Sequence, residues 1–530
     1  MNRRIEIYDT TLRDGTQGEG FNLSLYDKLQ IASKLDELGV DYIEGGFPAS
    51  NPKDEAFFRE AAGMQFRNAR IAAFGMTRRR GMKAQEDPGL RALIQAQTPV
   101  VTVVGKTNPH QVKTVLGVSL EENLAMIRES VGLLRSEGRE VIYDAEHFFD
   151  GLKADRDYAL RTLLAAREGG AATLVLCDTN GGSMPEWVAE ATAIVRREVA
   201  GRLGIHTHND AGVAVANALA AVGAGADHVQ GTINGVGERC GNMDLIPLIA
   251  NLRLKYGLDC LRGDTLQRLT EVSRYVYETA NLNLVSGQPY VGSSAFAHKG
   301  GMHVHAVQKD VSTYEHVPPE AVGNTRKILI SELSGASNIA AKAGRKFDIE
   351  NDKATLRKVL DRVVRLESQG FQYEAAEASF ELLLRREIGR YRRFFELEHY
   401  RVVILKTGDS APVAEATVKL SVDGGRQHVV AEGNGPVAAL DAALRKALHE
   451  RYPRIDQVHL VDYKVRVIND REEASAAVRV VAEFRRELPD GRREIFGTIG
   501  VSPNVVDASW QAIVDAYEYH LIHVEEEQAV

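Results

Sequence analysis

The sequence predicts an α/β protein: a TIM (β/α)8 barrel, a mostly helical linker subdomain, and a C-terminal α+β regulatory domain built by duplication. Three observations predict it. About eight strand–helix units alternate over residues 1–260, the size and rhythm of such a barrel. Residues 261–395 read as mostly helical, with an irregular polar stretch at 286–330. Residues 396–530 change character again and contain an internal repeat. Domains are accordingly expected at 1–275, 276–395 and 396–530.

The eight expected strands are short β-rich runs at 4–10, 42–47, 70–75, 100–105, 140–145, 173–179, 203–208 and 228–233. Amphipathic helix patterns lie between them. In "SLYDKLQIASKLDELG", Leu25, Leu29, Ala32 and Leu35 recur at helical spacing and Gly39 is the stop. In "SLEENLAMIRESVGLLRSEG", Ser119 followed by Glu122 predicts a capping box. A doubly wound sheet is the rival architecture. Eight units, with no G-x-G-x-x-G after the first strand, argue against it.

In the linker, "NDKATLRKVLDRVVRLESQG" and "AAEASFELLLRREIG" predict helices. In the last stretch, "DGGRQHVVAEGNGP" (423–436) and "DGRREIFGTIGVSP" (490–503) match at Asp-Gly, an Arg, a Gly and a Pro, all offset by 67 residues. A helix pattern follows each. Asp-Gly predicts a tight turn and Pro the first turn of a helix. A duplicated α+β unit has a two-fold cleft, a place for a small effector.

Composition narrows the function classes. Of 530 residues, 44% are hydrophobic and 26% charged, the balance of a globular protein. A net charge of −8 is mild for this length and gives no reason to expect nucleic acid or an anionic membrane as partner. No apolar run is long enough to span a bilayer, and the start shows no secretory h-region. Cys177, Cys240 and Cys260 are dispersed, without C-x-x-C, which suits reduced thiols and a cytoplasmic location.

The chemistry collects at the C-terminal ends of the expected strands, where barrels place their catalytic groups. Strand one ends with Asp9, Arg13, Asp14 and Gln17, and strand two with Glu44. Strand five ends with Asp144, Glu146 and His147, and strand six with Asp178, Thr179 and Asn180. Strand seven carries His206 and His208, and "NGVGERCGN" after strand eight carries Asn234, Glu238, Arg239 and Asn242. Singly, such residues are most often turn formers, helix caps or surface ion pairs. Together they crowd one rim. His206 and His208 point to the same side of a strand. A pair with this spacing matches many strands by chance. Barrel closure brings Asp14 and Asn242 to the same corner, and one carboxylate, two imidazoles and an amide oxygen leave two octahedral positions for a chelating 2-oxo acid. Such mixed N/O ligands suit Mn²⁺ or Mg²⁺, with Co²⁺ or labile Zn²⁺ as alternatives.

"DTTLRDGTQ", "DTNGG", "HTHNDAG", "GVGERCGN" and "HKGGMHVHA" together resemble the DRE-TIM metallolyases, in the acyl-CoA-condensing branch that holds 2-isopropylmalate, homocitrate and citramalate synthases. The resemblance covers nearly the whole chain. "GNGPVAALDAAL" is similar to the regulatory domain of the isopropylmalate synthase group, and "STYEHVPPEAVGN" is most similar to the citramalate-forming members. The resemblance implies a Claisen-type condensation of acetyl-CoA with a 2-oxo acid, pyruvate first among them, in isoleucine biosynthesis. It also implies a homodimer and feedback by isoleucine at the C-terminal domain. It assigns Asp14, His206, His208 and Asn242 to the metal, and Arg13 to the keto oxygen. Thr179 is assigned to the substrate carboxylate, Tyr143 to the substrate pocket and Glu146 to catalysis. His303 becomes the general base with Tyr314 beside it, both able to complete a neighbouring subunit's site.

Two departures stand out. His305 occupies a position where the family usually has an acid, and His298 is a rival base. "YDAEHFFDG" differs from its counterparts at the end of strand five, a wall of the substrate pocket. Competing functions are the same chemistry on 2-oxoisovalerate or 2-oxoglutarate, a metal-dependent lyase or aldolase, and a catalytically silent sensor.

Overall fold

Eight parallel strands close on themselves in chain order: β1 (Glu6–Asp9), β2 (Tyr42–Gly46), β3 (Arg70–Met76), β4 (Val100–Lys106), β5 (Glu140–Glu146), β6 (Thr173–Asp178), β7 (Arg202–Thr207) and β8 (His228–Gly231). The structure is a computed structural model and describes residues 3–329, 336–468, 476–488 and 493–529. Pairing of β8 with β1, Tyr8 opposite Gln230, closes the sheet and excludes the doubly wound alternative. All eight expected strands form.

The helices between them arise as their patterns dictate. Leu25–Leu38 is opened by a capping box in which Ser24 accepts from the Asp27 backbone N–H, and it ends at Gly39 with φ 90°. A Cβ at Gly39 would lie 2.5 Å from the Arg262 carbonyl oxygen, so close approach as well as backbone handedness requires glycine there. Ser119 caps Leu120–Ser136 through the Glu122 N–H, but the expected reciprocal bond is not formed. The Glu122 carboxylate instead pairs with Arg78 at 2.8 Å, since a charged partner outbids a backbone N–H.

Strand alternation divides the barrel residues into two sets. The inward set has an apolar middle layer of Tyr8, Tyr42, Ala72, Val100, Ile142, Val175 and Cys177. Below it Arg70, Glu140, Glu6, Arg202 and the Tyr42 hydroxyl form a polar floor. Above it lies the rim. The outward set, with Ile7, Ile43, Val103, Leu174 and Ile205, packs under the helices in one continuous core.

Two compact units are present: 1–296 with 316–326, and 297–315 with 327–530. The stretch 276–395 is thus divided between them. In the second unit, β9 (Ala297–His298) pairs in parallel with β10 (Lys327–Ile328). Helices Lys353–Glu367 and Glu377–Glu387 follow. Next come two antiparallel three-stranded sheets, β11 (Phe395–Leu405), β12 (Val413–Val422), β13 (Gly425–Gly433), and β14 (Val458–Val467), β15 (Val478–Glu487), β16 (Arg493–Ser502). Each sheet is followed by a helix, Pro436–Leu448 and Val505–Ala529, and the two halves share one core.

The repeat is therefore structural: strand, strand, strand, helix, twice. Even an irregularity recurs in the first strand of each half, between Leu397 and His399 and between Leu460 and Asp462. Asp423 (φ 48°) and Gly424 (φ 80°) make the expected two-residue turn. Its counterpart at 490–491 lies outside the described residues. Pro436 begins its helix, whereas Pro503 stands two residues before Val505, where Asn504 caps instead through the Val506 N–H at 2.8 Å.

Candidate active site

The rim is assembled by strand parity. Inward residues that pair across neighbouring strands lie on the same face, so Lys106 opposite Glu146, Cys177 opposite His206 and His206 opposite Gln230 share one surface. Loops extend it. Gly15–Gln17 forms a turn just after Asp14. Asn242 lies in an isolated bridge with His208 after β8.

Asp14, His206 and His208 offer ligand atoms that all lie within 4.8 Å of one another, and all three are buried. The two Nε2 atoms are 3.3 Å apart, and Asp14 Oδ2 is 3.4 Å from His206 Nε2. Asn242 Oδ1 and His208 Nδ1 are buried without a hydrogen-bond partner among the described residues. A buried amide oxygen left bare is costly unless something else takes its lone pairs. Facing imidazole nitrogens cannot both present protons at that separation.

The protonation states fit a cation. Burial, and then the neighbouring His206, push His208 down to about 4. Burial also lowers His206, against the pull of Asp14. Burial acts to raise Asp14, but Arg13 and the two imidazoles outweigh it and hold the carboxyl below its ordinary range. Neutral imidazoles beside an ionised carboxylate are the donor forms a divalent cation requires. The four residues therefore fit a bound metal.

The imidazole of His206 is oriented by a residue that the sequence reading missed. Its Nδ1 lies 3.0 Å from Gln230 Oε1, and Gln230 Nε2 donates to Asp144 Oδ1 at 2.9 Å. An amide oxygen only accepts, so Nδ1 carries the proton and Nε2 keeps its lone pair for the site. Burial, and then Glu44, push Asp144 up to about 8. The signal for Gln230 was its position: an inward residue of β8 directly opposite His206.

Arg13 is fixed on three sides. Its Nε donates to Glu44 Oε2 at 2.6 Å, its NH1 lies 3.4 Å from Asp14 Oδ2, and its guanidinium lies 3.8 Å from the centre of the Phe74 ring. Glu44 also accepts from the hydroxyls of Tyr8 and Thr10. Burial opposes the charge on Arg13, but Asp14 and Glu44 raise its pKa further, so it remains a cation. Phe74 was not anticipated.

Thr179 and Glu146 occupy the neighbouring arc. Thr179 Oγ1 accepts from the His147 N–H at 2.8 Å, which leaves its hydroxyl proton free to donate. Glu146 Oε2 is paired with Lys106 Nζ at 2.7 Å, another unanticipated partner. Arg239 makes a two-pronged contact with Asp210 and donates to the Thr179 carbonyl, tying the loops after β6, β7 and β8 together. Some rim acids are structural. Asp9 accepts from Thr11, and Asp178 from the N–H and hydroxyl of Ser183.

Tyr143 corrects the sequence reading. It was expected in the substrate pocket, but it pairs with Val103 and Leu174 on the outward face of β5 and is completely buried under the helices. Its ring lies where a Cβ on Gly105 would fall, 2.8 Å from the hydroxyl. Parity decides this: with Asp144 and Glu146 bracketing the inward positions, Tyr143 must face out.

His303 and Tyr314 belong to the second unit, where their rings stack at 4.1 Å. Both are exposed, as is His305. His298 is buried and its Nε2 lies 3.0 Å from Glu315 Oε1. The three cysteines are free, Cys177 and Cys260 buried and Cys240 exposed. Among the described residues, no helix is long and apolar enough to cross a membrane.

Comparison with known proteins gives this arrangement a family. Residues 4–276 match the HMGL-like family, 290–370 the homocitrate synthase post-HMGL domain-like family, and 374–521 the LeuA allosteric (dimerisation) domain. The chain is 51% identical to an (R)-citramalate synthase of Aquifex aeolicus, over 99% of each chain. It is 50% identical to one of Geobacter sulfurreducens, over 98% of each. A 2-isopropylmalate synthase of Methanocaldococcus jannaschii is 30% identical over 97% of this chain and 94% of its own. With a closed barrel, a buried Asp/His cluster at its rim and a LeuA-type C-terminal domain, the chain belongs to the (R)-citramalate synthase family of HMGL-like enzymes.

Proposed function

We propose that the rim of this barrel condenses acetyl-CoA with pyruvate and water to give (R)-citramalate and free CoA, in isoleucine biosynthesis. The observation that carries the reading is the convergence of Asp14, His206 and His208 on one buried point, next to Asn242, which bridges to His208 and whose buried Oδ1 has no hydrogen-bond partner among the described residues. Full-length likeness to citramalate synthases supports the choice of acids. Asp14, His206, His208 and Asn242 would hold a divalent cation, Mn²⁺ or Mg²⁺ before Co²⁺ or Zn²⁺, which would supply Lewis acidity toward the keto oxygen.

The chain's own residues do the rest. Arg13, immobilised by Glu44 and Phe74, presents a fixed cation to the keto oxygen at no reorganisation cost. The Thr179 hydroxyl donates to the substrate carboxylate. His303 removes a methyl proton from acetyl-CoA, with Tyr314 stacked on it; both act in the site of a neighbouring subunit of a homodimer. His298 is the weaker candidate for the base, because its Nε2 already faces Glu315. Glu146 acts as a hydrogen-bond acceptor in the later, hydrolytic half of the reaction. Isoleucine binds the C-terminal domain as feedback inhibitor. Three free cysteines support a cytoplasmic location.

The test is release of free thiol from acetyl-CoA with Mn²⁺ or Mg²⁺ and a panel of 2-oxo acids. Pyruvate is expected to be fastest, and isoleucine to slow it. Fastest release with 2-oxoisovalerate or 2-oxoglutarate would replace pyruvate as the substrate. One methylene is worth only about 1–3 kcal/mol in discrimination, so the panel must include close homologues. No release with any acid would reject the condensation.

A further inference from the structure

The hydrolytic half of the reaction proposed above needs a donor for the thioester oxygen and a base for the attacking water. Glu146, held by an ammonium, supplies only an acceptor. Three side chains meet on the arc of the rim formed by β4 and β5: Lys106, Glu146 and His147. The last two lie in "YDAEHFFDG", the segment that departs from its counterparts at the end of strand five.

Strand parity places Lys106. Val100 and Thr102 lie below it on the inward side of β4, and it stands opposite Glu146 of β5. Its Nζ is 2.7 Å from Glu146 Oε2, and among the described residues it has no other carboxylate partner. An ammonium has three N–H groups, so two remain to donate. The other rim cations have other duties. Arg13, held by Glu44 and Asp14, serves the keto oxygen, and Arg239 ties Asp210 to the Thr179 carbonyl. The main chain under the pair is pinned. Asn123 Nδ2 donates to the Lys106 carbonyl at 2.9 Å, and the hydroxyl and N–H of Thr107 both donate to the Glu146 carbonyl.

His147 is held in an unusual way. Its backbone is left-handed, φ 57° and ψ 32°, a conformation uncommon outside glycine. Two hydrogen bonds fix it there: its N–H donates to Thr179 Oγ1 at 2.8 Å, and its carbonyl accepts from the Gly151 N–H at 2.8 Å. Such strain collects at functional sites. The turn carries the imidazole back toward Glu146, with Nε2 4.0 Å from Glu146 Oε1. That gap is too long for a direct bond and short enough for one water to reach both atoms. The exposed fractions of the Lys106, Glu146 and His147 side chains are 14%, 23% and 11%, so a substrate can touch them while bulk water screens them little. Burial lowers the pKa of His147. Glu146 and Asp150 oppose that shift, and Lys106 and Arg239 add to it. The ring is therefore neutral at pH 7 and able to take a proton.

We propose that Lys106, Glu146 and His147 hydrolyse the condensed thioester, a role that rests on the condensation reading of this rim. His147 Nε2 takes a proton from water as the water oxygen bonds to the thioester carbon. The carbonyl electron pair moves onto its oxygen, to which Lys106 donates. As the carbonyl re-forms, the carbon–sulfur bond breaks and the imidazolium gives its proton to the sulfur. The products are free CoA and a carboxylic acid that ionises in solvent. Glu146 is a positioning residue: it holds the ammonium and orients the water. The test compares wild type with H147N, K106M and K106R on two substrates. One is acetyl-CoA with pyruvate. The other is chemically made citramalyl-CoA, which needs no condensation. Asparagine tolerates left-handed backbone, so H147N keeps the turn. H147N should release CoA from the supplied thioester about 100-fold more slowly. With acetyl-CoA and pyruvate it should accumulate condensed thioester, seen by mass spectrometry after acid quench. K106M should lose about 100-fold in kcat on the supplied thioester with little change in KM, and K106R should recover part of it. Metal affinity should stay at the wild-type value in all three; a fall that parallels the loss of rate would overturn the proposal in favour of a structural role. Hydrolysis of the supplied thioester at the wild-type rate by H147N or K106M, or no hydrolysis by wild type itself, would overturn it even if pyruvate condenses. Fast hydrolysis by wild type and slow hydrolysis by the variants upholds it even if pyruvate does not condense.

Discussion

At the scale of residues, the metal site works because burial is used selectively. The same desolvation that lowers His206 and His208 acts to raise Asp14, and Arg13, together with the two imidazoles, outweighs it there. His206→Ala is expected to abolish tight metal binding and metal-dependent turnover while circular dichroism stays native; unchanged activity at low added metal would refute the ligand assignment. Gln230→Leu tests the layer behind. Loss of the acceptor on Nδ1 frees the imidazole to rotate and change tautomer, so metal affinity should fall about 10–100-fold; equal affinity in a titration would show that Gln230 only fills space. The Tyr143 correction makes a third, contrasting pair. Thr179→Val should raise KM for the 2-oxo acid, whereas Tyr143→Phe should not, because its hydroxyl is under the helices. The ligands were legible in the sequence because chemistry-bearing residue types recur at strand ends. Gln230, Phe74 and Lys106 were not, because a glutamine, a phenylalanine or a lysine near a strand end has many ordinary uses.

At the scale of elements, period-two alternation sorts catalytic from structural residues. β5 shows it best, with Asp144 and Glu146 inward and Tyr143 outward. The loop after β8 shows how backbone geometry places a ligand. Gly241 has φ 91°, and a Cβ there would fall 2.0 Å from the Gly235 carbonyl oxygen, one residue before Asn242. Gly241→Ala should destabilise by about 1–3 kcal/mol from backbone strain alone. It should also weaken metal binding, measured by urea unfolding and metal titration. Retained affinity would show that the loop tolerates a shift of Asn242. Helix starts were legible where one residue does the capping, as at Ser24 and Ser119. The second half of the Ser119 box was not, because Arg78 arrives from the end of another strand and takes the Glu122 carboxylate.

At the scale of the whole molecule, the barrel is polar at both ends and apolar between, and the floor is a charge network of its own. Burial would raise Glu6 and Glu140. Hydrogen bonds and charge from His228, Arg202 and Arg70 hold Glu6 below the ordinary 4.5, and Arg70 and Tyr42 do the same for Glu140. A carboxyl whose folded pKa is depressed contributes stability that is fully present above its unfolded pKa and lost as pH falls through the folded one. Glu140→Gln should therefore lower the thermal midpoint at pH 7 and flatten its decline between about pH 5 and pH 3. A decline as steep as wild type's would remove the floor from the acid sensitivity of the fold. In the second unit, two strand–strand–strand–helix halves share a single core, so neither half has its own complete interior.

Much about this protein was determined by sequence alone. Eight alternating units called for a parallel sheet covered by crossover helices and favoured a barrel by their number, while the pairing of β8 with β1 decided its closure. The 67-residue repeat specified a duplicated domain, and three motifs, "DTTLRDGTQ", "HTHNDAG" and "GVGERCGN", named the four metal-binding candidates before any distance was known. Tertiary structure alone decided which polar residues meet. Closure set His206 against Gln230 and Asp14, strand parity removed Tyr143 from the pocket, and ion pairing consumed Arg78 while Arg79 and Arg80 have no carboxylate partner among the described residues. The physical reason is one of range. Propensity and periodicity are local and can be read along the chain. Desolvation, charge pairing and tautomer choice depend on neighbours tens or hundreds of residues away, and exist only once the chain has closed.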